Sequence, residues 1–121
     1  MEVRILKKGP KFERDVVNFL RRAFKSDAIE RRVMGGANDR GDVAGVYFRG
    51  RPFVIEVKNR TAVTPAQWFK ELADECGNAD TDVGAVVFHR PKVGERSMGD
   101  QGVFMSLRTL CLLLGADDGD L

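Results

Sequence analysis

Two strand-like segments with charges inside them constrain this chain most. Arg40-Gly41-Asp42-Val43-Ala44-Gly45-Val46 and Phe53-Val54-Ile55-Glu56-Val57-Lys58 set two carboxylates and an ammonium into otherwise apolar sequence. Charge taken out of water there is costly unless it meets a partner or a metal. Alternate side chains of a strand share a face, so Phe53, Ile55 and Val57 point one way and Val54, Glu56 and Lys58 the other. Asp42 joins that second face only if the hairpin pairs in an even register, with Phe48 opposite Pro52, Ala44 opposite Glu56 and Asp42 opposite Lys58. A three-residue connection, Arg49-Gly50-Arg51, or a compensating bulge provides it; a plain two-residue loop turns Asp42 to the opposite face.

The rest of the chain reads as helices and strands in alternation. Val3-Arg4-Ile5 is a short extended lead or a frayed end, and Gly9-Pro10 looks like a helix entrance with proline at the first position. Phe12, Val16, Phe19, Leu20 and Ala23 follow at helical spacing, which predicts a helix over about 10–24. Glu13 shares a side of it with Val17, Leu20 and Phe24, an acid on an apolar stripe. Residues 28–33 read as a strand that ends in the flexible Gly35-Gly36-Ala37-Asn38. Thr64-Pro65-Ala66-Gln67 is a capping box opening a helix that runs to Cys76 and stops at Gly77. Residues 83–89 form an apolar, central strand. Residues 103–105 suggest a fifth, and Ser106 caps a short helix ending near Leu114-Gly115. The expectation is a single α/β domain over 1–115 and a disordered acidic tail over 116–121.

No apolar run approaches the ~20 residues of a membrane span, and no signal-peptide pattern opens the chain, so a cytoplasmic protein without membrane contact is expected. Cys76 and Cys111 sit in apolar helical stretches and read as reduced core residues, not a disulfide framework or a zinc site. The formal charge of +2 conceals an asymmetry: residues 1–60 hold fifteen basic against eight acidic side chains, residues 61–121 five against ten. The basic half also carries Asp42, Glu56 and Lys58, which favours a polyanionic partner. Arg31, Arg32, Arg40 and Arg60 bracket the acids in sequence, and Lys7, Lys8 and Lys11 precede or open the first helix. With Arg14 and Asn38, these are the candidates for nucleic-acid contacts. His89 reads as structural or solvent-facing, Trp68 and Phe69 as core or dimer contacts, and Leu110-Cys111-Leu112-Leu113-Leu114 as a partner surface.

The residue types suit phosphodiester hydrolysis. Carboxylates at Asp42 and Glu56, with the Val57 carbonyl between the key side chains, are oxygen ligands for a hard cation such as Mg²⁺. Such a cation acidifies a bound water and neutralises charge on the phosphate, while Lys58 orients the water. Each residue alone has a plainer reading: Glu-x-Lys as an exposed ion pair, Asp42 as a turn residue, Glu13 as a complement to the helix dipole, Gln67 as a cap. Their joint occurrence in the basic half is what favours a site.

In this order the residues resemble the PD-(D/E)XK nuclease superfamily, with Asp42 and Glu56-Val57-Lys58 as its core motif. The helix from Gly9-Pro10 through Val17 is similar to the opening helix of archaeal-type and phage Holliday junction resolvases. The resemblance spans about residues 9–90. It implies a restriction-endonuclease-like core, a mixed sheet of about five strands flanked by helices. It further implies a Mg²⁺-dependent endodeoxyribonuclease with Mn²⁺ substituting, branched DNA as partner, and a homodimer. By the same resemblance Asp42 and Glu56 are metal ligands, Lys58 the catalytic lysine, Glu13 an accessory acid that aids metal binding, and Gln67 a polar active-site residue. Gly41 replaces the usual proline before the aspartate, and Asn38 stands where resolvases often carry a serine. Other structure-specific nucleases of the superfamily, acting on flaps, nicks or forks, and a catalytically silent nucleic-acid-binding module are the alternatives.

Overall fold

The computed structural model describes the backbone of residues 2–32 and 38–121, and the side chains of residues 9–32 and 38–121. The glycine-rich residues 35–37 and the side chains of Lys7 and Lys8 lie outside the described residues. The chain is an α/β protein built on a mixed sheet. Helix α1 (Glu2–Phe24) leads to strands β1 (Glu30–Arg31), β2 (Val43–Ala44), β3 (Tyr47–Phe48), β4 (Arg51–Pro52) and β5 (Val54–Lys58). Helix α2 (Pro65–Asn78), β6 (Gly84–Phe88), β7 (Gly102–Phe104) and α3 (Leu107–Leu113) follow. Five strands pair in the order β1-β2-β5-β6-β7, parallel only between β5 and β6, the pair that α2 connects. β3 and β4 form a separate two-stranded ribbon. Among the described residues, no helix is long and apolar enough to cross a membrane.

Two cores lie on opposite faces of β5. Ile55 and Val57 pack with Phe12, Val16 and Val17 of α1, Val43 of β2, Ile29 and Met98. Val54 packs with Trp68, Leu72 and Cys76 of α2 and Val86 of β6. The alternation expected from the sequence therefore holds, and it puts Glu56 on the α2 face. Cys76 and Cys111 are free thiols, Cys76 buried.

Several elements differ from expectation. α1 starts at Glu2, not at Pro10, which lies inside it. Proline's φ is already helical, so the helix passes through at the cost of one backbone bond and some crowding. Thr64 and Gln67 form no capping box: Thr64 is the N-cap without a side-chain bond, and Pro65 occupies the first helical position. α2 continues through Gly77 to Asn78. Ser106 does cap α3, accepting from the Thr109 N–H. Residues 116–121, expected to be disordered, include a 3-10 turn at Asp118–Asp120, with Asp118 paired to Arg51 at 2.9 Å.

The hairpin reaches an even register by an unexpected route. β3 and β4 pair Phe48 with Arg51 and Tyr47 with Pro52, so Arg49-Gly50 is a two-residue turn, with both residues at positive φ. Alone it would send Asp42 to the wrong face. Further along, the Phe53 N–H bonds the Val46 carbonyl, yet Val43 pairs with Ile55. Three steps on one strand match two on the other, so Ala44 and Gly45 together face Val54 in a β-bulge. Gly45 makes it possible: its φ is +92°, and a Cβ there would lie 2.4 Å from the Ala28 carbonyl oxygen.

Candidate metal centre

The bulge brings Asp42 onto the face that carries Glu56. Val43 is the last residue of β2 to pair with β5; the Asp42 N–H still bonds the Ile55 carbonyl at 2.8 Å, and the Asp42 carboxylate reaches on, Oδ2 accepting from the Val57 N–H at 2.7 Å. Gly41 sets this up with φ +95°, and a Cβ there would lie 2.9 Å from both the Ile55 carbonyl oxygen and Val54 Cγ1. Proline, with φ fixed near −65°, has no access to that conformation, which accounts for glycine at this position.

Asp42, Glu56, Val57 and Lys58 line one cleft of about 690 Å³, with Glu13 of α1 and Gln67, Trp68 and Glu71 of α2 on its walls. Asp42 and Glu56 are both buried. Lys58 Nζ donates to Glu71 Oε1 at 2.7 Å and stands 3.5 Å from Glu56 Oε2. Gln67 Nε2 donates to Glu71 Oε2 at 3.2 Å, so the residue expected to cap α2 points along the cleft wall instead. Glu13 forms an ion pair with Arg31 at 3.1 Å.

The electrostatics are those of crowded acids. Burial pushes Glu56 up to about 10, with the charge and hydrogen bond of Asp42 and the charge of Glu75 adding to it and Lys58 opposing. Burial raises Glu75 to about 7, helped by Asp39. Burial and the Asp42 charge likewise raise Glu13 against the pull of Arg31. Burial disfavours the charge on Lys58, but the Glu71 hydrogen bond and the charges of Glu56 and Glu71 outweigh it and hold Lys58 above the ordinary lysine value. The same Lys58 bond holds Glu71 below the usual carboxylate range.

Glu56 Oε1 is buried and has no hydrogen-bond donor. An acceptor-only group so placed calls for a proton or a cation. The donor set is all oxygen, the ligand type that hard cations prefer. Among the described residues, the three acids with ligand atoms all within 4.8 Å of one another are Asp39, Glu56 and Glu75. Glu13 is not in that group, though it shares the cleft with Asp42 and Glu56.

Sequence reasoning missed Glu71, Glu75 and Asp39. Gln67, Glu71 and Glu75 recur every fourth residue on one side of α2, and Glu75 also falls among the buried Trp68, Leu72 and Cys76. An acid on that apolar stripe is the signal available beforehand, of the same kind as Glu13. Of the expected phosphate contacts, Arg14, Asn38, Arg40 and Arg60 are exposed. Arg31 is committed to Glu13, and Lys11 to Asp15 and Glu95. The half-buried Arg32 bonds the Asp42 carbonyl through its backbone N–H at 2.8 Å. His89 packs edge-on against Phe12, a structural placement. No protein-family model matches the chain, and no match was found to a curated protein or to a solved structure.

Proposed function

We propose that this protein is a metal-dependent DNA endonuclease of the PD-(D/E)XK type with a restriction-endonuclease-like core, acting on four-way junctions as a homodimer. The observation that carries the reading is the convergence of Asp42, Glu56 and Lys58 on one face of the sheet. They share a cleft with Glu13 and Gln67 although the adjoining turn alone would part them. Asp42, Glu56 and the Val57 carbonyl would hold Mg²⁺ or Mn²⁺, with Glu13 as the accessory acid. When bound there, the cation would supply Lewis acidity to the scissile phosphate and lower the pKa of a water. Lys58, kept protonated by Glu71, donates to the phosphate oxygens as charge builds on them, and Gln67 orients the attacking water from the cleft wall. In-line attack expels the 3′-oxygen and leaves a 5′-phosphate.

Arg40, Arg60 and Asn38 are exposed, Arg60 on the wall of the cleft, and would contact the DNA backbone, where phosphates supply most of the affinity. The exposed Leu107, Leu110, Leu113 and Leu114 of the α3 segment offer an apolar surface for the second copy. Cleavage of a labelled four-way junction with and without Mg²⁺, beside flap, nicked, forked and plain duplex DNA, tests the reading. Asp42→Asn and Glu56→Gln should each abolish cutting while junction binding persists. If both variants still cut, the mechanism is wrong; if flaps or forks are cut in preference, the substrate assignment is wrong.

A further inference from the structure

α2 carries an acid where its buried face calls for an apolar side chain. Trp68, Leu72 and Cys76 succeed one another at four-residue spacing toward the sheet, and Glu75 is buried among them at 5% exposure. Glu56 faces it from β5 at 9% exposure. Each has a buried Oε1 that no hydrogen-bond donor reaches. Glu56 and Glu75 are hydrogen-bonded to each other while one of them keeps a proton, so the pair is satisfied out of water by a shared proton or, once both ionise, by a cation between them.

Asp39 completes the arrangement from the loop before β2. Its Oδ1 accepts from the Gly41 N–H at 2.9 Å, and its carbonyl accepts from Asn78 Nδ2 at the end of α2 at 2.7 Å. One carboxylate oxygen from each of Asp39, Glu56 and Glu75 then lies within 4.8 Å of the others. The nearby ammonium does not fill the gap. Lys58 Nζ is bonded to Glu71 on the cleft wall and lies 3.5 Å from the other oxygen of Glu56.

We propose that Asp39, Glu56 and Glu75 hold a second hard divalent cation, in a site that shares Glu56 with the Asp42 side. Three carboxylate ligands select an oxygen-preferring ion such as Mg²⁺, Mn²⁺ or Ca²⁺. The inference rests on the proposal that Asp42 and Glu56 hold the first cation, but it assigns this ion different work. Asp39 and Glu75 do not line the cleft where a phosphate would enter. A cation among them touches no scissile bond. It keeps Glu56 ionised for its ligand role and ties the Asp39–Asp42 loop to α2, so Asp39 and Glu75 are positioning residues.

Mn²⁺ is the probe, counted by electron paramagnetic resonance of the free ion with the full chain and no DNA. The wild type should bind two ions per chain. Glu75→Gln and, independently, Asp39→Asn should each lose one, weakening that site at least about tenfold, as removal of a metal-supporting group commonly does. Glu75→Gln keeps the side-chain volume, and Asp39 lies on a half-buried loop, so the pair guards against a single misfolded variant. Asp42→Asn should lose the other ion and keep this one. If Glu75→Gln and Asp39→Asn both titrate like the wild type, the acids share a proton and the second site is refuted. A single ion lost equally with Asp42→Asn and Glu75→Gln also refutes it, because the acids then form one site. If Asp42→Asn binds like the wild type while Glu75→Gln loses an ion, the first-cation reading fails and the Glu75 site stands.

Discussion

Glu56→Gln should make the protein more stable as it makes it inactive, and the size of the gain depends on pH. Glu56 is pushed to about 10 in the folded protein, against 4.5 in the unfolded chain. Below pH 4.5 both states carry the proton, and Glu56 costs nothing through ionisation. Above it, unfolding releases a proton that the fold retains, so the wild type loses stability with each pH unit up to the folded pKa. At pH 7 the separation from 4.5 is worth about 3 kcal/mol at 1.36 kcal/mol per unit, a figure that does not depend on where above 7 the folded value lies. Glutamine keeps the shape, carries no charge, and its amide N–H can donate to the buried Glu75 Oε1, which lacks a donor. Allowing for relaxation of the site, we expect Glu56→Gln to exceed the wild type by about 1–3 kcal/mol at pH 7 in EDTA. The assay is urea unfolding of both proteins at half-unit steps from pH 4.5 to 8. The readout is the difference between them, because Glu75, near 7, tilts both curves. Added Mg²⁺ should stabilise the wild type selectively and narrow the gap. A variant less stable than the wild type at pH 7, or a difference that does not grow with pH, refutes the reasoning.

Two further outcomes follow from the geometry. Gly45→Ala should cost about 2–4 kcal/mol in urea unfolding, from a left-handed backbone and a Cβ driven into the Ala28 carbonyl, and a loss under about 1 kcal/mol would refute the bulge geometry. Glu71→Gln removes the charge, and with it the charge-assisted strength of the hydrogen bond, that hold Lys58 protonated, so the alkaline limb of the cleavage pH profile should move to lower pH. An unmoved limb would show that Lys58 titration does not set it.

Much of the arrangement was legible because strands write their faces in alternation. Ile55 and Val57 toward α1, with Val54 and Glu56 toward α2, follow from the order of residues alone. So does the demand that Asp42 share the Glu56 face. The means of meeting it was not legible, because Gly45 looks like any strand glycine until Ala28 is packed against it. Gln67 misled for a local reason: Thr-Pro-x-Gln favours a cap in isolation, but Glu71 one turn later offers the amide a partner. Glu75 stayed hidden because an acid in a helix reads as solvated, and only the packing of Trp68, Leu72 and Cys76 against the sheet fixes it inside. α1 ran past Pro10 because proline marks a helix start by statistics and not by prohibition.

The extra residue at Ala44-Gly45 makes the chemistry of this chain a matter of counting. A two-residue turn followed by one surplus residue is equivalent in parity to a three-residue turn followed by none. Deleting one of the two bulge residues should therefore straighten the strand and yet exile Asp42 from Glu56, whereas a second change, one residue added to the turn, should bring it back. Chains with the same acids need not align with this one residue for residue across 44–52, since gaps there can compensate in pairs. Spacing between motif residues is thus a poor guide across this hairpin. Whether it is odd or even is the inheritable quantity.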